Sequence, residues 1–343
     1  MKKRPKTDIS LKHIAKELEL SPSTVSRVLN NYPYVNETTR SRVMKLVAKI
    51  GYKRNIMASS LRTNKSKTIG MIVPRISMFV HAQIITTLQN ILHKQGYNLI
   101  ICQSNESVEM EKELAQTLFA SMVDAVIVAC TLFTTDFSHF NILIENNIPV
   151  FFYDRVPTDQ YPAAIIKGDD FRGGYLAGSH LVEVGCKDIA HISGPLTSNL
   201  YRARVAGFKE AMEQYGFKIG DDRIFYHELT SENARRTMRQ LFDTRPFPDG
   251  IFAANDLTAL TVHEFARERG IAVPRDLKLV GYSNDPSSSL VTPSITTIEQ
   301  FPERIADTVA EELMKFLRPD ITERLENFKP ITIPVELVRR MST

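Results

Sequence analysis

The 343-residue chain is poor in cysteine, with only Cys102, Cys130 and Cys186, and these lie far apart. Three such positions suit neither a disulfide framework nor a zinc site, so buried free thiols are expected. No run approaches the ~18 apolar residues of a membrane span, which excludes a spanning helix. The basic start, Met1-Lys2-Lys3-Arg4-Pro5-Lys6, is followed by no apolar stretch, so no secretory leader is expected and the cytoplasm is the expected location. Catalytic signatures are missing as well. Gly173-Gly174-Tyr175-Leu176-Ala177-Gly178 lacks the lysine of a phosphate-binding loop and suits close helix packing instead. His263-Glu264-Phe265-Ala266-Arg267 opens like a zinc-protease helix but carries arginine at the second ligand position. No G-x-S-x-G elbow occurs, and the eight histidines are scattered. An enzyme, a metal and a cofactor are therefore not expected.

What is present is an uneven charge. Residues 1–67 hold 16 Lys and Arg against 4 Asp and Glu, and the remainder holds 27 against 35. A basic head on an acidic body points to an anionic polymer that meets one end only. Phosphate neutralisation by such a head gives salt-dependent affinity without sequence preference.

The head is also patterned to fold. Ser10 can cap a helix whose Leu11, Ile14, Ala15 and Leu18 fall on one face. Ser21 is a second N-cap, with Pro22 at the first helical position, where its missing N–H costs nothing. That helix turns Val25, Val28 and Leu29 inward and Pro22, Ser23, Thr24 and Arg27 outward. Asn36 caps a third helix with Val43, Leu46, Val47 and Ile50 inward, and Gly51 ends it. Two short helices joined by a tight turn and closed by a third make a helix-turn-helix module, whose second helix enters the major groove.

The run Ser21-Pro22-Ser23-Thr24-Val25-Ser26-Arg27-Val28-Leu29-Asn30, with Ile14-Ala15 before it and Thr39-Arg40 and Gly51-Tyr52 after it, resembles the lactose/galactose repressor (LacI/GalR) family. Ala58-Ser59-Ser60-Leu61-Arg62-Thr63 followed by Thr68-Ile69-Gly70-Met71-Ile72-Val73-Pro74 looks like the family's hinge and first sensor strand. Similar motifs continue to about residue 301. The resemblance implies roles. Positions 22, 23 and 27 match base-reading positions: Arg27 would offer its fork to a guanine, Pro22 an apolar contact to a thymine methyl. Ser21, Thr24, Asn30, Tyr34, Asn36 and Thr39 would meet phosphates, which fix register without reading sequence. In the hinge, Ala58, Leu61 and Arg62 would lie at the DNA, with Leu61 wedged into the minor groove. Two positions depart from the pattern: Glu19 stands where the family has a turn glycine, and Arg54 where a proline often precedes the hinge.

From residue 68, short apolar runs alternate with helical stretches. Ile69–Pro74, Leu99–Gln103, Ala125–Ala129, Val150–Tyr153, Ile189–Ser193, Gly250–Ala254 and Leu277–Tyr282 read as buried strands, and Ile331–Val338 as the last. His81–Gln95, Arg202–Tyr215 and Thr258–Arg269 read as helices. Such alternation means βαβ units and parallel sheets, with ligands at the carboxyl ends of strands. The residues past those ends are Arg75 to His81, Asp154, Gly168 to Asp170, Ser198 to Arg204, Asn255-Asp256, Ser283-Asn284 and Gln300, a polar set suited to a small-molecule cleft. Within it Phe79, His81, Asp154, Arg204, Asn255, Ser283 and Gln300 are the candidate effector residues. The resemblance assigns effector contacts to Asp154, Arg204, Asn255 and Gln300, while Ser283 replaces a frequent aspartate. For Asp154 a simple pairing with Arg155 remains open.

The expected architecture is α/β. A three-helix helix-turn-helix domain spans 1–53 and a hinge 54–67. A two-lobed sensor like the type I periplasmic binding proteins spans 68–343, with lobe one at about 68–167 and 298–327 and lobe two at about 168–297 and 328–343. The expected function is a sequence-specific transcription regulator, a repressor, controlled by a sugar or related metabolite held between the lobes. The alternatives are a sugar-binding receptor with no regulatory role, or a regulator controlled by a non-sugar metabolite or partner protein. The partners expected are near-palindromic double-stranded operator DNA, a small-molecule effector and a second copy in a homodimer. No heptad segment trails the last strand, which argues for a dimer over a tetramer. Arg204→Ala is expected to abolish the effector response and leave ligand-free DNA binding and dimerisation intact.

Overall fold

The computed structural model describes residues 10–29, 32–52, 65–157, 161–243, 247–318 and 328–343. It divides into two units, Met1–Asn64 and Lys65–Thr343. The boundary falls before the expected end of the hinge at 67, because Lys65, Ser66 and Lys67 are bound to the second unit. The Ser66 and Lys67 amides donate to the Asp124 carboxylate at 2.6 and 3.0 Å, and Lys65 Nζ donates to the Leu317 carbonyl.

In the first unit, α1 (Leu11–Glu17) starts at Ser10, whose hydroxyl accepts from the His13 amide. Helix α2 (Pro22–Leu29) starts at Ser21, whose hydroxyl accepts from the Thr24 amide at 3.1 Å. Between them Glu19 adopts φ 54°, the left-handed conformation that glycine takes freely and a side-chain-bearing residue holds at roughly 1 kcal/mol or more. Helix α3 (Glu37–Ile50) is capped by Asn36 and closed by Gly51 at φ 63°. Ile14, Ala15, Val25, Val28, Val43 and Leu46 form the buried core. Every cap and every buried position follows the sequence pattern.

The second unit is α/β. Its first sheet is parallel throughout, in the order β11-β5-β4-β3-β1-β2. The strands are β1 (Thr68–Val73), β2 (Asn98–Gln103), β3 (Ala125–Val128), β4 (Val150–Tyr153), β5 (Ala164–Gly168) and β11 (Ile331–Ile333). Helices α4 (Phe79–Lys94), α5 (Val108–Ala120) and α6 (Asn141–Glu145) connect them. The second sheet, also parallel, runs β7-β6-β8-β9, from β6 (Ile189–Ser193), β7 (Ile224–Tyr226), β8 (Gly250–Ala253) and β9 (Lys278–Val280). Its helices are α7 (Asp170–Glu183), α8 (Asn199–Gln214), α9 (Ser231–Asp243), α10 (Asp256–Glu268) and the short α11 (Ser287–Leu290). Strands β10 (Thr297–Glu299) and β12 (Glu336–Val338) form an antiparallel pair, and α12 (Pro302–Phe316) packs its Ile305, Ala306, Val309 and Leu313 into the core beneath the first sheet.

Three expectations need correction. The last strand is two, because Pro334 breaks the run: β11 extends the first sheet and β12 pairs with β10. The segment 328–343 therefore does not belong wholly to lobe two. Strands β5, β7 and β10 were not read as strands; β7 and β10 have three residues each, too few for a period to show. The glycines of α7 do serve packing. A Cβ on Gly174 would lie 2.0 Å from the Arg204 carbonyl, and one on Gly207 of α8 would lie 1.9 Å from the Phe171 carbonyl. The two helices touch backbone to backbone, which fixes Arg204 beside Asp170.

Candidate functional site

In the first unit, Thr24, Arg27, Tyr32, Tyr34, Val35, Asn36 and Thr39 surround one surface hollow of about 430 Å³. The amphipathic pattern of α2 buries Val25 and Val28, which forces Ser23 and Arg27 outward, and both are exposed. Tyr34 is 96% exposed. Ser21 joins Ser23 and Thr24 in a hydroxyl cluster at 2.7 and 2.8 Å. Asn36 is occupied as a cap, accepting from the Thr38 amide and hydroxyl. Tyr32 was not singled out from sequence. Its amide donates to the Arg27 carbonyl and its carbonyl accepts from Arg40, so it pins the loop after α2. Asn30, Arg54, Ala58, Leu61 and Arg62, with the rest of the expected hinge up to Asn64, lie outside the described residues.

In the second unit a cavity of about 360 Å³ is lined by residues that all follow strand ends. Arg75, Met78 and Phe79 follow β1, Glu106 follows β2, Leu132 follows β3 and Arg155 follows β4. Tyr201 follows β6, Glu228 to Ser231 follow β7, Asn255 to Leu257 follow β8, and Ser283 and Asp285 follow β9. Both sheets reverse their strand order here, β1 beside β3 and β6 beside β8, so crevices open at these ends. Among the candidate effector residues, Phe79, Asn255 and Ser283 line this cavity.

The others are not among its lining residues. Arg204, 3% exposed, donates from Nε to Asp170 at 2.9 Å, from Nη1 to the Ala254 carbonyl at 2.7 Å and from Nη2 to Gln300 at 3.3 Å. Its guanidinium lies 3.5 Å from the centre of the Tyr282 ring, and the Tyr282 hydroxyl donates to Asp170. Gln300 in turn donates to Ser283 at 2.9 Å. Gln300 therefore links Arg204 to Ser283. Burial works against the Arg204 cation, but Tyr282 and Asp170 outweigh it and hold the charge. Burial pushes the Asp170 carboxyl up, to about 6, against the pull of Arg204. Arg202, two residues away, is exposed and bonds the Leu196 and Thr197 carbonyls, so only one of the two arginines turns inward, as their spacing requires.

Asp154 does not pair with Arg155. Arg155 Nη1 donates to both carboxylate oxygens of Glu106 at 2.8 and 2.9 Å, and Glu106 also accepts from the Leu132 amide. Asp154, 8% exposed and at φ 57°, has no side-chain hydrogen bond among the described residues. His81 is fully buried with Nδ1 at 3.0 Å from the Tyr153 hydroxyl, and burial lowers its pKa to about 4, leaving a neutral ring. Sequence reasoning passed over Glu106 and the Glu228–Ser231 turn. The turn was hidden because β7 is too short to read; Glu106 was hidden because its partner lies 49 residues away.

Across the two lobes, Asn199 bridges the Val156 amide and the Asp154 carbonyl, Thr197 donates to the Leu132 carbonyl, and Arg75 stands 3.8 Å from Glu228.

Residues 10–55 match the model of the bacterial regulatory proteins of the lacI family, and residues 179–343 match a periplasmic binding protein-like domain. The HTH-type transcriptional repressor PurR of Pasteurella multocida (strain Pm70) is 31% identical over 97% of this chain and 98% of its own. The chain belongs to the LacI family. A lac repressor dimer bound to operator and the anti-inducer ONPF superimposes with TM-score 0.85 at 25% identity, over 97% of this chain and 98% of that one. A LacI family regulator from Enterococcus faecium with bound ribose gives TM-score 0.69 at 27% identity, over 80% and 98%. This LacI-family protein is accordingly a DNA-binding transcription regulator with a helix-turn-helix head and an effector-binding α/β domain. Its relatives are regulators rather than enzymes. Among the described residues no helix is long and apolar enough to cross a membrane.

Proposed function

We propose that the chain is a cytoplasmic repressor that binds a near-palindromic operator as a homodimer and is controlled by a sugar or sugar-like metabolite held between the two lobes. On this reading residues 1–53 read DNA, 54–64 form the hinge and 65–343 make up the sensor. Arg27 and Ser23 project from α2 toward base edges, with Pro22 making apolar contact. Ser21, Thr24, Asn30, Tyr34, Asn36 and Thr39 meet phosphates. The hinge residues Ala58, Leu61 and Arg62 lie at the DNA, with Leu61 wedged into the minor groove at the operator centre. In the sensor, Phe79 and Asn255 contact the effector directly, and Asp154 offers a carboxylate that no donor among the described residues occupies. Ser283 lines the same cavity, and Gln300, Arg204 and His81 hold the wall behind.

The observation that carries this reading is the cavity itself. Eight strand ends from two sheets converge on one space, so a ligand there touches both lobes and shifts their relative position by its difference in affinity for the two arrangements. The coupling is reciprocal: effector changes operator affinity by the factor by which operator changes effector affinity. A thermal-shift screen of sugars identifies the ligand, since it stabilises by RT ln(1 + [L]/Kd). Gel-shift titration with and without it then measures the coupling. A ligand that binds the cavity and leaves operator affinity unchanged would refute effector control.

A further inference from the structure

A second cavity, of about 110 Å³, lies where the lobes meet, with Thr131, Thr134 and Arg155 on one side and Ser198, Asn199 and Arg202 on the other. Helix α8 begins here. Its sixteen residues leave first-turn amides without helical partners and place the positive end of the helix dipole at the cavity. Ser198 is the N-cap and has the extended conformation of one, φ −83° and ψ 133°, yet its hydroxyl caps nothing. Ser198 is 5% exposed and Oγ has no partner among the described residues; Arg155, 3% exposed, leaves Nε equally unpartnered. Buried donors without acceptors cost free energy, so an acceptor belongs there.

The neighbouring polar side chains are held elsewhere: Asn199 accepts from the Val156 amide and donates to the Asp154 carbonyl, Thr134 donates to Glu111 and Thr197 donates to the Leu132 carbonyl. The nearby carboxylates are likewise committed: Glu106 to Arg155, and Glu111 to the Thr131 amide, Thr134 and His139. Arg202 adds a positive charge on the first turn of α8. We propose that this cavity is an oxyanion site, taking a phosphate or carboxylate group, which clamps the lobes through Ser198 and the α8 amides on one side and Arg155 on the other. Because Arg155 walls both cavities, the anion is either a free ion or the charged end of a larger ligand in the main cleft.

The test is thermal unfolding of the full chain at constant ionic strength, with chloride replaced stepwise by inorganic phosphate, and separately with glucose against glucose 6-phosphate. A saturable rise in Tm with inorganic phosphate supports a free-ion site; a rise with glucose 6-phosphate alone supports a ligand-borne group. In either case Ser198→Asp should remove the response, and its own carboxylate should raise Tm in chloride by capping α8. Arg202→Gln, an exposed change, should weaken the apparent affinity about tenfold, the loss of one charge-assisted contact. No rise beyond chloride, as for a cavity holding water alone, overturns the proposal. So does a phosphate response equal in wild type and Ser198→Asp or, should that variant not fold, in wild type and Arg202→Gln.

Discussion

The head and the sensor use charge in opposite ways. Among the described residues of the head, the basic and polar groups stand in water around a core of six small or medium apolar side chains, and almost nothing polar is buried. In the sensor the charges that matter are inside: Arg204 with Asp170 and Arg155 with Glu106. An exposed charge waits for a partner from outside, here a phosphate or a base edge. A buried charge must be answered within the fold, so the same residue that shapes a ligand cavity also holds the fold together. A substitution in the head should therefore separate binding from stability, and one in the sensor should not.

The largest expected effect follows from breaking a sensor pair. Asp170→Ala leaves Arg204 buried with its main counter-ion gone, and should cost about 3–5 kcal/mol in urea unfolding. A cost under about 1 kcal/mol would show that the pair is dispensable. The same reasoning revises the expectation for Arg204→Ala. That variant strands Asp170 and the Ala254 carbonyl, so loss of effector response would come with loss of stability.

Next comes acid sensitivity. His191 is fully buried, stacked on Phe252 at 4.3 Å, and burial lowers its pKa to about 3. The unfolded chain takes up the proton near pH 6.5 and the folded chain only near 3. Stability is therefore full above pH 6.5 and falls as pH drops through that window. His191→Phe removes this term. Between pH 7 and 4.5 the wild type should lose up to about 3 kcal/mol relative to the variant. Parallel stability–pH curves for the two proteins would refute the buried neutral histidine.

In the head, Arg27→Ala should cost about 1–3 kcal/mol on the specific operator and little on random DNA, with unchanged unfolding. Equal losses on both sequences would deny Arg27 a base-reading role. The smallest effect sharpens the contrast from the other side: Ser21→Ala removes a helix cap and should cost about 1 kcal/mol in head stability by calorimetry. A cost of zero would mean the Ser21 hydroxyl serves only the surface.

The sequence made the head almost wholly legible, because caps, proline at N1 and a 3.6-residue period act over a few residues. Ser10, Ser21, Asn36 and Gly51 each stand where local chemistry requires. It made the sensor legible as alternating strands and helices, and through them the strand ends that line the cavity. It hid what long-range packing decides. Glu106 meets Arg155 and Arg204 meets Gln300 only after the sheets are assembled, so the sequence does not show that Arg204 is tied to Asp170, the Ala254 carbonyl and Gln300. The crossing at Pro334 was hidden because β11 and β12 are both short and both apolar enough to pass for one strand.

That crossing has a mechanical consequence. The chain passes between the lobes at three places: from β5 to α7 through Gly168 and Asp169, from β10 to α12 through Gln300 and Phe301, and from β11 to β12 through Pro334 and Val335. Three straps side by side act as a door hinge, permitting one swing and resisting torsion. Asp170, Gln300 and the arginine between them stand at the hinge pin, where a small displacement is geared into a long sweep at the far edges of the lobes. A ligand that shifts this pin by a fraction of an ångström gains leverage in proportion to the length of the door.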